Sequence, residues 1–210
     1  MPKYIGKQIA LPESKLLHPH LLKPSETYKK YEVMAVIDPA RKEEWKEVEE
    51  AIVDIACQAF NLTKAEARKQ IKERKLTSPI GPHKAKDPDD LDAPAKETGD
   101  MVFSARQDAS KGAPEVVDEY VEPIPEDRAN EIYYGIYGVV VVFLMAYSAP
   151  GGKGVTARIN VVQKLRDAEG GGGRGQAMKL LKAKAKPVVK ADDITSGDDE
   201  VDEALDRLLA

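Results

Sequence analysis

Four consecutive valines, Val139, Val140, Val141 and Val142, begin the longest apolar run of the chain, residues 139–146. β-Branched side chains lose χ1 freedom in a helix, so the run predicts a strand. Extended over residues 132–147 (IYYGIYGVVVVFLMAY), it carries Tyr133, Gly135, Tyr137, Val139, Val141, Phe143, Met145 and Tyr147 on one face. Tyr134, Ile136, Gly138, Val140, Val142, Leu144 and Ala146 fall on the other. Both faces are apolar toward residue 146, which predicts burial on both sides, as for the central strand of a small barrel. The tyrosines and glycines at its start predict a bend or bulge beside a binding surface. The competing reading is a membrane span over residues 132–152, which hold no charge and approach the ~20 residues a bilayer requires. Glycines, tyrosines and the turn signal Pro150-Gly151-Gly152 argue against it.

The same patterns place the other elements. Residues 1–27 contain Pro2, Pro12, Pro19 and Pro24 and are expected to be mostly irregular, with Leu16, Leu17, Leu21 and Leu22 folding onto the core as an interrupted strand. Residues 28–37 alternate as a strand with Tyr31, Val33, Ala35 and Ile37 on one face. Asp38-Pro39 then opens a helix, whose stripe is Trp45, Val48, Ile52, Ile55 and Ala59. Thr63 and Glu66 have capping-box spacing for a second helix to about residue 75. Residues 77–100 read as a long exposed loop, 101–106 as a strand, 111–114 as a turn and 115–121 as a short extended piece. Glycines at 151–154 close a hairpin onto residues 155–165, with Val155, Ala157, Ile159 and Val161 facing one way and Thr156, Arg158 and Asn160 the other.

Charge changes this picture at one end. The formal net charge is −4, but residues 192–210 hold eight acids against Arg207, a net −7, which leaves +3 on residues 1–191. A mildly basic body therefore precedes an acidic tail. Four glycines at 170–173 end the folded part, and a lysine–alanine linker follows. With one cysteine, Cys57, the chain holds no internal disulfide or cysteine metal cluster. Nothing at its start resembles a secretory leader, so a cytoplasmic protein is expected.

Catalytic patterns are missing: the chain has no phosphate loop, dinucleotide fingerprint, CxxC or HExxH. His18, His20 and His83 lie in proline-containing segments, and His18-Pro19-His20 lacks the further ligands of a closed metal site, so loop or packing roles are expected. Asp87, Asp89, Asp90 and Asp92 lack the spacing of a calcium loop and read as a solvated acidic stretch. No catalytic residue, metal or cofactor is assigned.

Aromatic residues interleaved with cations fit single-stranded nucleic acid, which exposes base faces and phosphates together. The strand pattern nominates Phe103, Arg106, Lys111, Tyr133, Tyr134, Tyr137, Arg158 and Lys164. The alternative is a β-rich protein-interaction or virion scaffold module whose tyrosine surface is an oligomer interface.

The order of several pieces resembles the phage-encoded single-stranded DNA-binding proteins with an OB-fold. These are YEVMAVIDP before the helix, SPIG, MVFSARQ, APEVVD, PIPEDRANEIYYGIYG, and the hairpin GGKGVTARINVVQKLRD, spanning residues 28–167. The resemblance implies sequence-tolerant binding of single-stranded DNA in replication or recombination, without a cofactor, on a five-stranded Greek-key barrel. The acidic tail resembles the partner-recruiting, DNA-competing tails of such proteins, though it ends in leucines and alanine without an aromatic residue. Its candidate contacts are Asp198, Asp199, Glu200, Asp202, Glu203, Leu205, Asp206, Leu208 and Leu209. The expectation is a mainly β protein with inserted helices. An OB-fold domain covers residues 1–168, a flexible linker 169–191 and a disordered acidic tail 192–210. Its expected partners are single-stranded DNA and replication or recombination proteins; a homodimer is left open, and no membrane is involved.

Overall fold

The valine run forms a strand that hydrogen-bonds along both of its edges. The computed structural model describes residues 5–85 and 94–168, all within one compact unit, Met1–Gln176. The acidic stretch Asp87–Asp92, the expected linker (169–191) and the expected tail (192–210) lie outside the described residues. Among those described there are eight strands: β1 (Gly6–Ala10), β2 (Ser14–His20), β3 (Lys30–Val36), β4 (Ile80–Ala85), β5 (Lys96–Asp108), β6 (Glu115–Val117), β7 (Tyr137–Ala149) and β8 (Gly152–Arg166). They form one open sheet in the order β4-β5-β3-β2-β7-β8-β6, with β1 also on β7. Two helices, α1 (Lys42–Phe60) and α2 (Lys64–Lys72), are inserted between β3 and β4.

Strand β8 returns antiparallel to β7 through the two-residue turn Pro150-Gly151. On the opposite edge β1 and β2 follow one another, Gly6 facing Met145 and Ser14 facing Gly138. Pro12 cannot donate a hydrogen bond, but its surroundings stay paired: Leu11 N–H donates to Val140 O (2.9 Å) and Leu16 N–H to Ile136 O (2.7 Å). The prolines of this segment interrupt pairing without abolishing it: β1 and β2 together take twelve of its residues, and β2, with its irregularity between Leu17 and His20, is the interrupted strand expected there. The expected loop at 77–100 also proves to contain β4 and the start of β5. Pro82 is tolerated because β4 is an edge strand.

The core lies on one face of the sheet, under α1. It takes Val140, Val142 and Leu144 from β7, Tyr31, Val33 and Ala35 from β3, and Val155, Ala157, Ile159 and Val162 from β8. Helix α1 buries the expected Trp45, Val48, Ile52 and Ile55, while Ala59 is only half-buried. Asp38 caps a short 3-10 turn (Pro39–Arg41) before α1, accepting from Ala40 N–H at 2.8 Å. The capping box of α2 is complete: Thr63 N–H donates to Glu66 Oε2 (2.9 Å) and Glu66 N–H to Thr63 Oγ1 (3.3 Å).

Three expectations about the central hairpin change. Strand β7 begins at Tyr137, because Tyr133 to Ile136 turn, with Gly135 at φ 97° and Ile136 N–H donating to Tyr133 O at 3.4 Å. Its Tyr137–Val139–Val141–Phe143 face is half-exposed, so only one side of the strand is buried. Val161 faces outward, since Ile159 pairs with Val142 and Val161 with Val141, which leaves Asn160 as an extra, bulged residue.

Beyond this sheet path, Thr77 bridges to Gly154: Thr77 N–H donates to Lys153 O (3.0 Å) and Val155 N–H to Thr77 O (2.9 Å). Instead of the five strands expected, the described residues show eight in an open sheet. Among them no helix is long and apolar enough to cross a membrane.

A Cβ at Gly154 would run into the Thr77 backbone, whereas one at Gly81 would meet nothing within 4 Å. Gly154→Ala should therefore cost about 1–3 kcal/mol by overpacking. Gly81→Ala should stay within about 0.5 kcal/mol of the parent. Urea unfolding of the two variants beside the parent measures both; equal midpoints would show that the Thr77–Gly154 approach is not tight.

Candidate nucleic-acid interface

Register decides which side chains share the solvent side of the sheet. One row runs from His20 on β2 through Glu32 on β3 to Arg106 on β5. Another runs from Lys15 on β2 through Tyr137 on β7 to Arg166 on β8. Neighbouring strands lie about 4.8 Å apart, so each row is roughly 10 Å wide. Both arginines are held by carboxylates: Arg106 Nε lies 3.6 Å from Glu32 Oε2, and Arg166 Nε 3.0 Å from Glu13 Oε1. The Arg166 guanidinium sits 3.7 Å from the centroid of the Tyr137 ring. Arg158 sits 5.6 Å from that of Phe143, and the same ring lies against Gly6, where a Cβ would meet it at 2.6 Å.

A second bulge sets the charges at the end of this hairpin. Gly138 pairs with Lys164 and Tyr137 with Arg166, so Leu165 is the extra residue. Lys164 is thereby turned to the core side of β7 and Arg166 to the outer side. The Lys164 ammonium bonds Asp167 at 2.8 Å and lies 5.8 Å from the Tyr133 ring. Lys164 holds the Asp167 carboxyl below its ordinary range, with the Tyr133 phenol adding to the effect. Burial pushes the Tyr133 phenol up, and the hydrogen bond to Asp167 pushes it further. Tyr133 and Lys164 thus form a closed, half-buried network.

The third grouping was not visible as such in the sequence. Strand β2 bulges between Leu17 and His20, where His18 adopts a left-handed φ of 48°. The His18 ring is exposed and meets Tyr134, itself 54% exposed, edge-on at 5.4 Å and 76°. His83 of β4 lies 6.1 Å from His18, buried, with Nδ1 3.1 Å from Thr98 Oγ1 and Nε2 unpartnered. Burial, and then the proximity of His83, lowers the His18 pKa below its ordinary value.

These placements sort the residues nominated from sequence. Arg106, Tyr134, Tyr137 and Arg158 reach the outer surface, and Lys111 is exposed on the 3-10 turn that follows β5. Phe103 does not: it is 0% exposed and packs against Trp45 at 6.1 Å, so it is core and not a platform. Lys15, His18, His20, Phe143 and Arg166 were passed over. Plain alternation already places Arg166 on the face of Arg158, so the signal for it was present and not taken up, whereas His18 and His20 sat in an apparently irregular segment. The nominated tail residues 198–209 are outside the described residues. A cleft of about 750 Å3 between the helices and β4, floored by Ile71, Ile80 and Met101, holds none of the nominated residues.

The family model described as Enterobacter phage Enc34, ssDNA-binding protein, matches residues 3–194. The fold is similar to that of the single-stranded DNA-binding protein from bacteriophage Enc34 solved in complex with ssDNA. The TM-score is 0.57 at 21% identity, over 77% of this chain and 88% of that one. It is also similar to gp2.5, a single-stranded DNA-binding protein encoded by bacteriophage T7, with a TM-score of 0.55 at 17% identity over 86% and 98% of the two chains. No curated protein sequence matches the chain. At such identities the solved structures establish a shared fold.

Core and surface rings are separable by stability. Phe103→Ala should cost about 3–5 kcal/mol of unfolding free energy. Arg158→Ala, which removes an exposed cation from Phe143, should cost no more than about 1 kcal/mol. Urea unfolding reads both, and a mild loss at Phe103 would return that ring to the surface.

Proposed function

The chain belongs to the family of the Enterobacter phage Enc34 ssDNA-binding protein, and from that premise we propose that it coats single-stranded DNA without regard to sequence, during replication or recombination in a host cytoplasm. The family match across residues 3–194 carries this reading. We read β2, β3, β5, β7 and β8 as the oligonucleotide-binding barrel, with β1, β4 and β6 added to it. The Thr77–Gly154 bridge supports closure, since it joins the segment before β4 to β8.

In this reading the outer face is the DNA track. Lys15, Arg106, Arg158 and Arg166 hold phosphates, with Lys111 at its margin, while exposed rings such as Tyr134 stack bases. A stacked base is worth about 1–3 kcal/mol and is indifferent to base identity, because every base has a π-face. Coating keeps strands from re-pairing. The acidic residues Asp198, Asp199, Glu200, Asp202, Glu203 and Asp206 compete with DNA for the cations, and Leu205, Leu208 and Leu209 supply apolar contacts for replication or recombination proteins.

Affinity for a single-stranded oligonucleotide should exceed that for duplex and fall with salt, with a log–log slope of about 0.7 per phosphate neutralised. A gel shift and a salt titration measure these, and a flat salt response would remove the phosphate track. Truncation after residue 191 takes away a net −7 and should tighten DNA binding; unchanged or weaker binding would refute competition by the tail.

A further inference from the structure

Resting on the DNA-binding reading, we propose that His18 and Tyr134 form a two-ring site for one unpaired nucleobase, with His18 as its titratable wall. The two rings stand edge-on at 76° with centroids 5.4 Å apart, which makes an open corner. A base laid on the exposed face of one ring meets the edge of the other, the offset geometry aromatic groups prefer. Backbone conformation supports a presented ring: His18 is held at φ 48° in a strand bulge, a region non-glycine residues enter seldom and at some strain. His83, 6.1 Å from His18, is buried, and among the described residues its Nε2 makes no hydrogen bond.

The site adjoins the His20 end of the row that runs through Glu32 to Arg106, so a strand whose base sits in the corner can continue along that row toward the Arg106 guanidinium. The groups acting on His18 come from three strands: His83 from β4, Glu32 from β3 and His20 from β2 itself. Burial and His83 disfavour the imidazolium, and only Glu32 among them favours it. A phosphate brought beside His18 adds a second negative neighbour and favours the charged form in the complex. Binding then takes up a proton, and by linkage affinity rises as pH falls through the window between the free and bound pKa values.

The test uses the full-length chain, a fluorescein-labelled oligothymidylate and fluorescence anisotropy. His18→Asn removes the titratable ring while keeping a residue that tolerates the left-handed region. Tyr134→Leu removes the half-exposed ring without emptying the core. Thermal melts of both variants should match the parent. Tyr134→Leu should weaken binding about tenfold. The parent should bind about fivefold more tightly at pH 6 than at pH 8, and His18→Asn should lose most of that gain. If the parent binds but both variants bind within twofold of it with the same pH profile, the two-ring site is refuted while DNA binding stands. If the parent itself fails to bind, the functional reading falls and this inference with it.

Discussion

Strand β7 must satisfy hydrogen bonds on both of its edges, and the rest of the molecule follows from that. Its neighbours are β8 on one side and the broken β1–β2 segment on the other. A strand so enclosed cannot be swapped out or shifted by one residue without turning Val140, Val142 and Leu144 into solvent. Small residues make the enclosure possible. A Cβ at Gly138 would collide with the backbone of Gln163, and one at Gly6 with the ring of Phe143. Close backbone approach, rather than bulk, therefore lets the outer face carry rings flat against the sheet.

The bulges in β8 convert that scaffold into a charge pattern. A regular alternation would place Arg158, Asn160, Val162, Lys164 and Arg166 on one face. The extra residues Asn160 and Leu165 instead send Val162 and Lys164 inward and keep Arg158 and Arg166 outside. Lys164 is then consumed by Asp167 beside Tyr133, while Arg166 covers Tyr137.

Periodicity in the sequence was enough for the helices, the hairpin and the inward faces of β3 and β7, because burial there has a constant period. It failed where the period breaks. Phe103 read as a stacking platform because it lies close to Arg106 in the chain, yet β5 puts it on the buried face with Ala105, packed against Trp45. Residues 77–100 read as loop because prolines and charges dominate, and an edge strand such as β4 tolerates both. His18 and His83 are far apart in the chain and meet only because β2 and β4 converge on one surface. No spacing rule anticipates such a meeting.

The pairing of Arg106 with Glu32 and of Arg166 with Glu13 bears on how a polymer would travel across this surface. Each guanidinium already has an internal counter-ion, so on the proposed track an arriving phosphate would displace a tethered carboxylate instead of entering a vacant well. When the phosphate left, the carboxylate would be at hand to take its place. Such exchange would flatten the energetic ripple between neighbouring positions and so favour one-dimensional diffusion along a bound strand over pinning at any single nucleotide.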